Sequence, residues 1–112
     1  MNMNISLVLT ALIFISSIFI NGVHAAGGIW VPISDPSTPE VQKVGEFAVS
    51  EHNKKANTAL AFYTVVNGQK QESASGVDYW LLITTVNEEY HDVIVFKDQK
   101  QKLFLQSFKT KE

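Results

Sequence analysis

The sequence predicts an α+β domain, one helix packed on about four antiparallel strands. Three observations carry this. A capped amphipathic stretch opens at Thr38 and runs to about Ala56 or Asn57. Runs rich in β-branched and aromatic residues follow at Leu60–Val66, Tyr79–Val86, Tyr90–Phe96 and Lys102–Phe108, and no second helical period is present. A sheet of that kind buries one face against the helix.

The chain has 112 residues, and its first 25 contain no Asp, Glu, Lys or Arg. Ile5 to Ile20 is an apolar run interrupted only by Ser and Thr, and Val23-His24-Ala25 supplies a small-x-small pattern that suits cleavage before Ala26. Residues 1–25 are therefore expected to be a signal peptide and residues 26–112 one domain, secreted to the extracellular space or the vacuolar branch of the secretory pathway. A spanning helix would need about 20 apolar residues, usually with basic flanks, so no membrane association is expected after the segment is removed. The one Asn-x-Ser/Thr sequence, Asn4-Ile5-Ser6, leaves with it.

Each element has a local reason. Ala26-Gly27-Gly28 opens as a flexible stretch, Ile29-Trp30-Val31-Pro32-Ile33 reads as extended with Pro marking an edge, and Ser34 to Ser37 is a loop. Thr38 can cap the helix with Pro39 at its first position, and Ser37 with Glu40 offers a capping box in the neighbouring register. Val41, Val44, Ala48 and Val49 form one apolar stripe, with Gln42, Lys43, Glu46, Ser50 and Lys54 on the other face. Gly45 costs a helix about 1 kcal/mol relative to Ala and so marks a close approach of another backbone, as when a sheet crosses the helix. Asn87-Glu88 is a turn candidate, and Asn67-Gly68 is the strongest hairpin signal on local chemistry.

Composition removes several function classes. The net charge of −2, from nine Lys, no Arg and eleven acidic residues without long blocks, gives no clustered positive field, so no nucleic-acid partner is expected. The absence of Cys removes disulfides, thiolate metal sites and a Cys nucleophile. Outside the first 25 residues His occurs at His52 and His91, beside Glu51 and Asp92, but adjacent residues point to different faces of a helix or strand, so neither pair is a ready dyad. Both histidines are expected as solvated surface residues, and Glu88-Glu89 as a wet turn. No phosphate-cradling, zinc or calcium motif occurs, so no catalytic residues, metal or cofactor are expected.

One segment is specific. Val44-Gly45-Glu46-Phe47-Ala48-Val49-Ser50-Glu51-His52-Asn53 resembles the helix signature of plant cystatins, inhibitors of papain-like cysteine proteases. Gly27 to Ile33, Ala59-Leu60-x-Phe62, Val65-Val66-x-Gly68, Tyr79-Trp80-Leu81 and Ser107-Phe108-Lys109 extend the likeness over residues 27–109. The resemblance implies the cystatin-like fold, a long helix on a curved four- to five-stranded antiparallel sheet. It also moves Asn67-Gly68 into a long strand and the hairpin tip to Glu72–Gly76. Trp80, inside an apolar run, is expected to pack in the core or on a sheet face, while Trp30, near the trunk, is open to either packing or contact.

In this family an N-terminal trunk and two hairpin loops fill the protease cleft without covalent chemistry. The resemblance places the trunk at Gly27 or Gly28, the first loop at Glu72, Ser73, Ala74, Ser75 and Gly76, and the second at Asp98 and Gln99. The expected partner is a papain-like cysteine protease, bound by a monomer. Both loops depart from the family pattern. The first normally reads Gln-x-Val-x-Gly, of which Glu72-Ser73-Ala74-Ser75-Gly76 keeps only the Gly; using Gln71 would lengthen the loop by one residue. Ala for Val removes roughly 1.5 kcal/mol of apolar contact, and Glu72 adds a carboxylate that binding must desolvate. The second loop normally carries Pro-Trp, where this chain reads Lys97-Asp98-Gln99-Lys100; losing a Trp anchor of about 2 kcal/mol is worth roughly 30-fold in affinity. The expectation is a well-folded inhibitor with weakened loops, and the alternative is a binding or regulatory module of the same fold without protease inhibition.

Overall fold

A computed structural model describes residues 28–112. The signal-peptide reading of residues 1–25, and Gly27, lie outside the described residues. In chain order the elements are β1 (Val31–Pro32), α1 (Pro39–Ala56), β2 (Phe62–Ser73), β3 (Gly76–Thr85), β4 (Tyr90–Asp98) and β5 (Leu103–Thr110). The strands form one sheet in the order β1-β2-β3-β4-β5. The main body comprises Ile29–Glu72 and Gly76–Glu112; Gly28 and Ser73–Ser75 fall outside it.

The helix begins where the sequence places it. Thr38 is the N-cap, with its side chain accepting from the Val41 amide at 3.4 Å, and Pro39 opens the first turn. Ser37 does not form the capping box: its amide and hydroxyl both turn back to Asp35 Oδ1, at 3.0 and 2.6 Å. Lys54 and Lys55 in the last turn suit the negative end of the helix dipole. Asn57 closes the helix in the left-handed region at φ 57°, donating its amide to the Asn53 carbonyl.

Val41, Val44, Ala48 and Val49 are buried, as the stripe requires, together with Gly45. They meet Val65, Tyr79, Leu81, Ile83, Val93 and Val95 in one core cluster, flanked by the partly buried Phe47, Phe62, Leu103, Leu105 and Phe108. Burying each Leu, Ile or Val in such a cluster contributes about 1.5–3 kcal/mol. On β3 and β4 the register sets Tyr79 against Val95, Leu81 against Val93 and Ile83 against His91, all on the helix side. The alternate positions, Trp80 against Ile94 and Leu82 against Asp92, face away.

Gln42, on the helix face read as polar, reaches the sheet. Its Nε2 donates to the Pro36 carbonyl at 2.8 Å, while its Oε1 accepts from the Thr64 hydroxyl and the Val65 amide at 3.3 and 3.4 Å. β2 extends to Ser73, well beyond the Val66 at which the apolar run stops, and carries Asn67-Gly68 within it. β3 starts three residues earlier than the run at Tyr79 suggests, β4 runs two residues past Phe96, and β5 continues to Thr110. Pairing with neighbouring strands explains these polar extensions. A register shift between Ile94 and Val95 interrupts the β4–β5 ladder.

Both histidines differ from the solvated surface reading. His91 is 0% exposed, because residues 91, 93 and 95 of β4 share the helix-facing side. His52 is half-buried and stacks on Phe108, with ring centroids 3.9 Å apart and planes 8° from parallel. Trp80 packs on the outer sheet face and remains 42% exposed, with the Trp30 ring edge-on at 5.7 Å.

Candidate functional site

The residues expected to contact a protease are carried by strand ends. β3 begins at Gly76 and β4 ends at Asp98, and these two residues are register partners. At the same end of the sheet Val31 of β1 pairs with Lys70 of β2, two residues before Glu72. Glu72 is exposed and forms a 3.8 Å ion pair with Lys70, which lowers the cost of its charge only modestly in water. Gly28 is exposed at the start of the described chain.

The turn between β2 and β3 is built from small polar residues. The Ser73 hydroxyl lies 3.1 Å from the Ser75 hydroxyl and accepts from the Ser75 amide at 3.3 Å. Ala74 and Ser75 are exposed. Gly76 follows at φ 152°, and a Cβ there would lie 2.2 Å from the Lys97 carbonyl oxygen. Glycine is thus required where β3 and β4 meet.

The turn between β4 and β5 is held by Asp98. Its Oδ1 accepts from the amides of Lys100 and Lys102, both at 2.9 Å, and its backbone exchanges bonds with Lys102 and Gln101. Gln101 adopts φ 71° inside this loop. Asp98 thereby spends its carboxylate on the shape of the turn, and Gln99 and Lys100 are the exposed residues at its tip. The residue type carries that signal, because Asp readily bonds backbone amides a few positions ahead.

A polar cluster that the sequence does not announce supports the base of this turn. Lys97, next to Asp98, donates to Glu40 Oε2 at 2.8 Å, and Tyr79 donates its hydroxyl to the same oxygen at 2.7 Å. The Lys97 ammonium also lies 5.5 Å from the centre of the Tyr79 ring. Lys97, then Tyr79, hold the Glu40 carboxyl below its ordinary range. Burial, reinforced by Glu40, raises Tyr79. Burial works to lower Lys97, but its bonds to Glu40 and Tyr79 prevail and raise it. Glu40 sits in the first helical turn and Lys97 on β4, so their contact is invisible to any local pattern.

Among the described residues no group of His, Cys, Asp and Glu could hold a metal ion, and no helix is long and apolar enough to cross a membrane.

Comparison with known proteins places this architecture. A family model described as aspartic acid proteinase inhibitor matches residues 33–111. Cysteine proteinase inhibitor 5 of Arabidopsis thaliana is 39% identical over 77 residues, covering 69% of this chain and 62% of the relative. Cysteine proteinase inhibitor 1 of Actinidia chinensis var. chinensis is 52% identical over 59 residues, covering 53% and 49%. Cysteine proteinase inhibitor A of Helianthus annuus is 37% identical over 73 residues, covering 62% of this chain and 89% of the relative. The matched stretch thus spans less than two thirds of the first two relatives and most of the third. These relatives are named as protease inhibitors, not as enzymes. One helix with the Phe47-Ala48-Val49 signature, laid on a five-stranded antiparallel sheet and matched by these plant proteins, makes this chain a member of the plant cystatin family.

Proposed function

We propose that this protein is a secreted, reversible inhibitor of papain-like cysteine proteases, released from residues 1–25 by signal cleavage before Ala26. It acts as a monomer that occludes the active-site cleft with its N-terminal Gly27-Gly28 segment, the turn running from Glu72 to Gly76, and the Gln99–Lys100 tip. The single observation that supports this most directly is the pairing of Gly76 with Asp98, which sets the roots of the two turns on neighbouring strands. The self-capped Asp98 turn adds to it, since a loop already fixed loses little entropy on binding. Inhibition of this kind needs no group with a tuned protonation state. Ala74 and Gln99 in place of larger apolar residues make the contact weaker than the family pattern allows.

A second reading is favoured by the family model that matches residues 33–111, described for aspartic acid proteinases. The same scaffold with altered turns would then meet a different protease class.

The test uses the full chain expressed in a secreting host. The product is expected in the medium with Ala26 at its N-terminus, and titration against papain should give saturable inhibition at micromolar concentration or tighter. Gln99→Trp should tighten it by up to about 30-fold. Inhibition of pepsin without papain would move the protein to the second reading. Loss of both activities in a folded product would leave a binding module that no longer blocks proteases.

A further inference from the structure

His91 is a buried titratable group with no part in the proposed inhibition. Its Nδ1 lies 3.0 Å from the Thr110 hydroxyl, while its Nε2 is buried without a hydrogen-bond partner. A neutral ring with its proton on Nδ1, donated to Thr110, tolerates this and leaves one Nε2 lone pair unmet. Protonation would turn Nε2 into a buried, charged N–H donor whose nearest acceptor, Glu89 Oε1, stands 3.6 Å away, beyond hydrogen-bond reach.

The surroundings join three elements. Phe108 of β5 stacks on His52 of α1, at 3.9 Å between centroids, and meets His91 of β4 at 4.9 Å with planes 37° apart. One phenyl ring therefore touches an imidazole from the helix and another from the sheet. Glu89, from the turn before β4, is the nearest anion, its Oε1 3.6 Å from His91 Nε2, and its side chain is 47% exposed to water. β3 contributes the apolar Ile83 opposite His91, and β5 contributes the neutral Thr110. The nearby charges of Asp92 and Lys111 pair with each other at 3.4 Å. Glu89 and His52 are thus the titratable groups that face His91, one favouring its proton and the other opposing it.

We propose that His52, Phe108 and His91 form an acid-sensitive latch between the C-terminal half of α1 and the β4–β5 pair. It is closed while His91 is neutral and released when His91 takes up a proton. Burial, with His52 adding to it, pushes His91 below its ordinary value of 6.5, against the weaker pull of Glu89. A base with a depressed folded value binds its proton more tightly when unfolded. The latch therefore contributes fully above pH about 6.5 and weakens steadily as the pH falls below that value.

The latch lies far along β3 and β4 from the turn roots: His91 pairs with Ile83, whereas Asp98 pairs with Gly76. Acid should accordingly loosen the helix end before it alters the turns, setting the lifetime of the fold rather than the shape of the contact surface. This holds whether or not the protein inhibits a protease.

Hydrogen exchange followed by NMR on the purified protein tests the latch. Corrected for intrinsic rates, amides of Phe47–Ala56 and of β5 should exchange about tenfold faster at pH 5.0 than at pH 7.5, a change worth about 1.4 kcal/mol. His91→Gln should abolish most of that difference. Should the variant not fold, the parent protein decides alone: His91 should titrate below 6.5, with Phe108 resonances moving at the same midpoint. Exchange that is flat between the two pH values, or a His91 that protonates while Phe108 stays unmoved, would overturn the proposal.

Discussion

Tyr79, in the middle of the sheet, donates its hydroxyl to Glu40 in the first turn of the helix over 2.7 Å. Lys97 shares the same carboxylate oxygen. The pair fixes how the helix start sits over β3 and β4. It also joins residues 39 positions apart, so it forms only once the helix has docked.

Glu40→Gln should therefore destabilise the fold, by about 1 kcal/mol, because it removes the charge from two charge-assisted bonds on a side chain that is largely in water. The pH dependence has a definite sign. The folded carboxyl is held below its ordinary 4.5, so its contribution is present above that value and lost as the pH falls through the lower folded value. Urea denaturation at pH 7.0 and pH 3.5 checks this: the gap between parent and variant should be clear at the first and shrink at the second.

Gly45→Ala pits helix propensity against packing. Ala is favoured by about 1 kcal/mol in a helix interior. Its Cβ, however, would lie 2.7 Å from Val65 Cγ2 and 2.9 Å from Phe62 Cε1. Val65 is buried and cannot swing into water, so packing wins and the variant should lose about 1–2 kcal/mol net. Differential scanning calorimetry would show Tm falling by several degrees. A raised Tm would mean that the helix rides higher above β2.

Gly76→Ala tests the junction of the two turns. It combines a backbone angle of 152° with a clash against the Lys97 carbonyl, which is backbone and cannot rotate away. The cost should be about 2–3 kcal/mol by chemical denaturation. Amide shifts should change across the register partners Gly76–Asp98 and Val77–Lys97 while the helix is unaffected. Shifts confined to residue 76 and its chain neighbours would show that β3 and β4 part easily there.

The helix was legible from sequence because its signals are local: Thr38 caps it, Pro39 starts it and the valines repeat at its own period; Gly45 does mark a close approach by the sheet, but of the Val65 and Phe62 side chains rather than of a backbone. The ends of the strands were less legible. Asn67-Gly68 has the chemistry of a hairpin turn, yet it lies within β2 because neighbouring strands supply its hydrogen bonds. Likeness to a family placed it where residue chemistry alone did not. His91 was missed for a different reason. Residue type suggested water, but alternation with Val93 and Val95 already put it on the buried face. Gly76 stood out in the sequence only as the residue kept from the family's loop pattern, and the need for glycine there came from the fold, where a Cβ would meet the Lys97 carbonyl. Asp98, expected to meet a partner, also shapes its own turn, which its residue type allows but its position alone does not show. The Glu40–Tyr79–Lys97 cluster needed the fold itself, since no spacing rule links a helix start to two strands.

Asn53, the last residue of the helix signature, holds the chain that leaves α1. Its Oδ1 accepts from the Leu60 amide at 3.0 Å and the Thr58 hydroxyl at 2.8 Å, while its Nδ2 donates to the Leu60 carbonyl at 2.9 Å. A carboxamide supplies an acceptor and a donor on separate atoms, which lets Asn53 bond the Leu60 amide and carbonyl at once. Asn53→Ala leaves the part-buried Leu60 amide and carbonyl unmet and should cost about 2–3 kcal/mol. Asn53→Asp keeps the acceptor but sets a carboxylate against the Leu60 carbonyl, so at pH 7 it should fall between Ala and the parent. Below about pH 4 the protonated acid can donate again, and the Asp variant should move toward the parent measured at the same pH. Denaturation of all three proteins at both pH values separates these effects. An Ala variant within about 0.5 kcal/mol of the parent would show that residues 57–61 hold their course without Asn53.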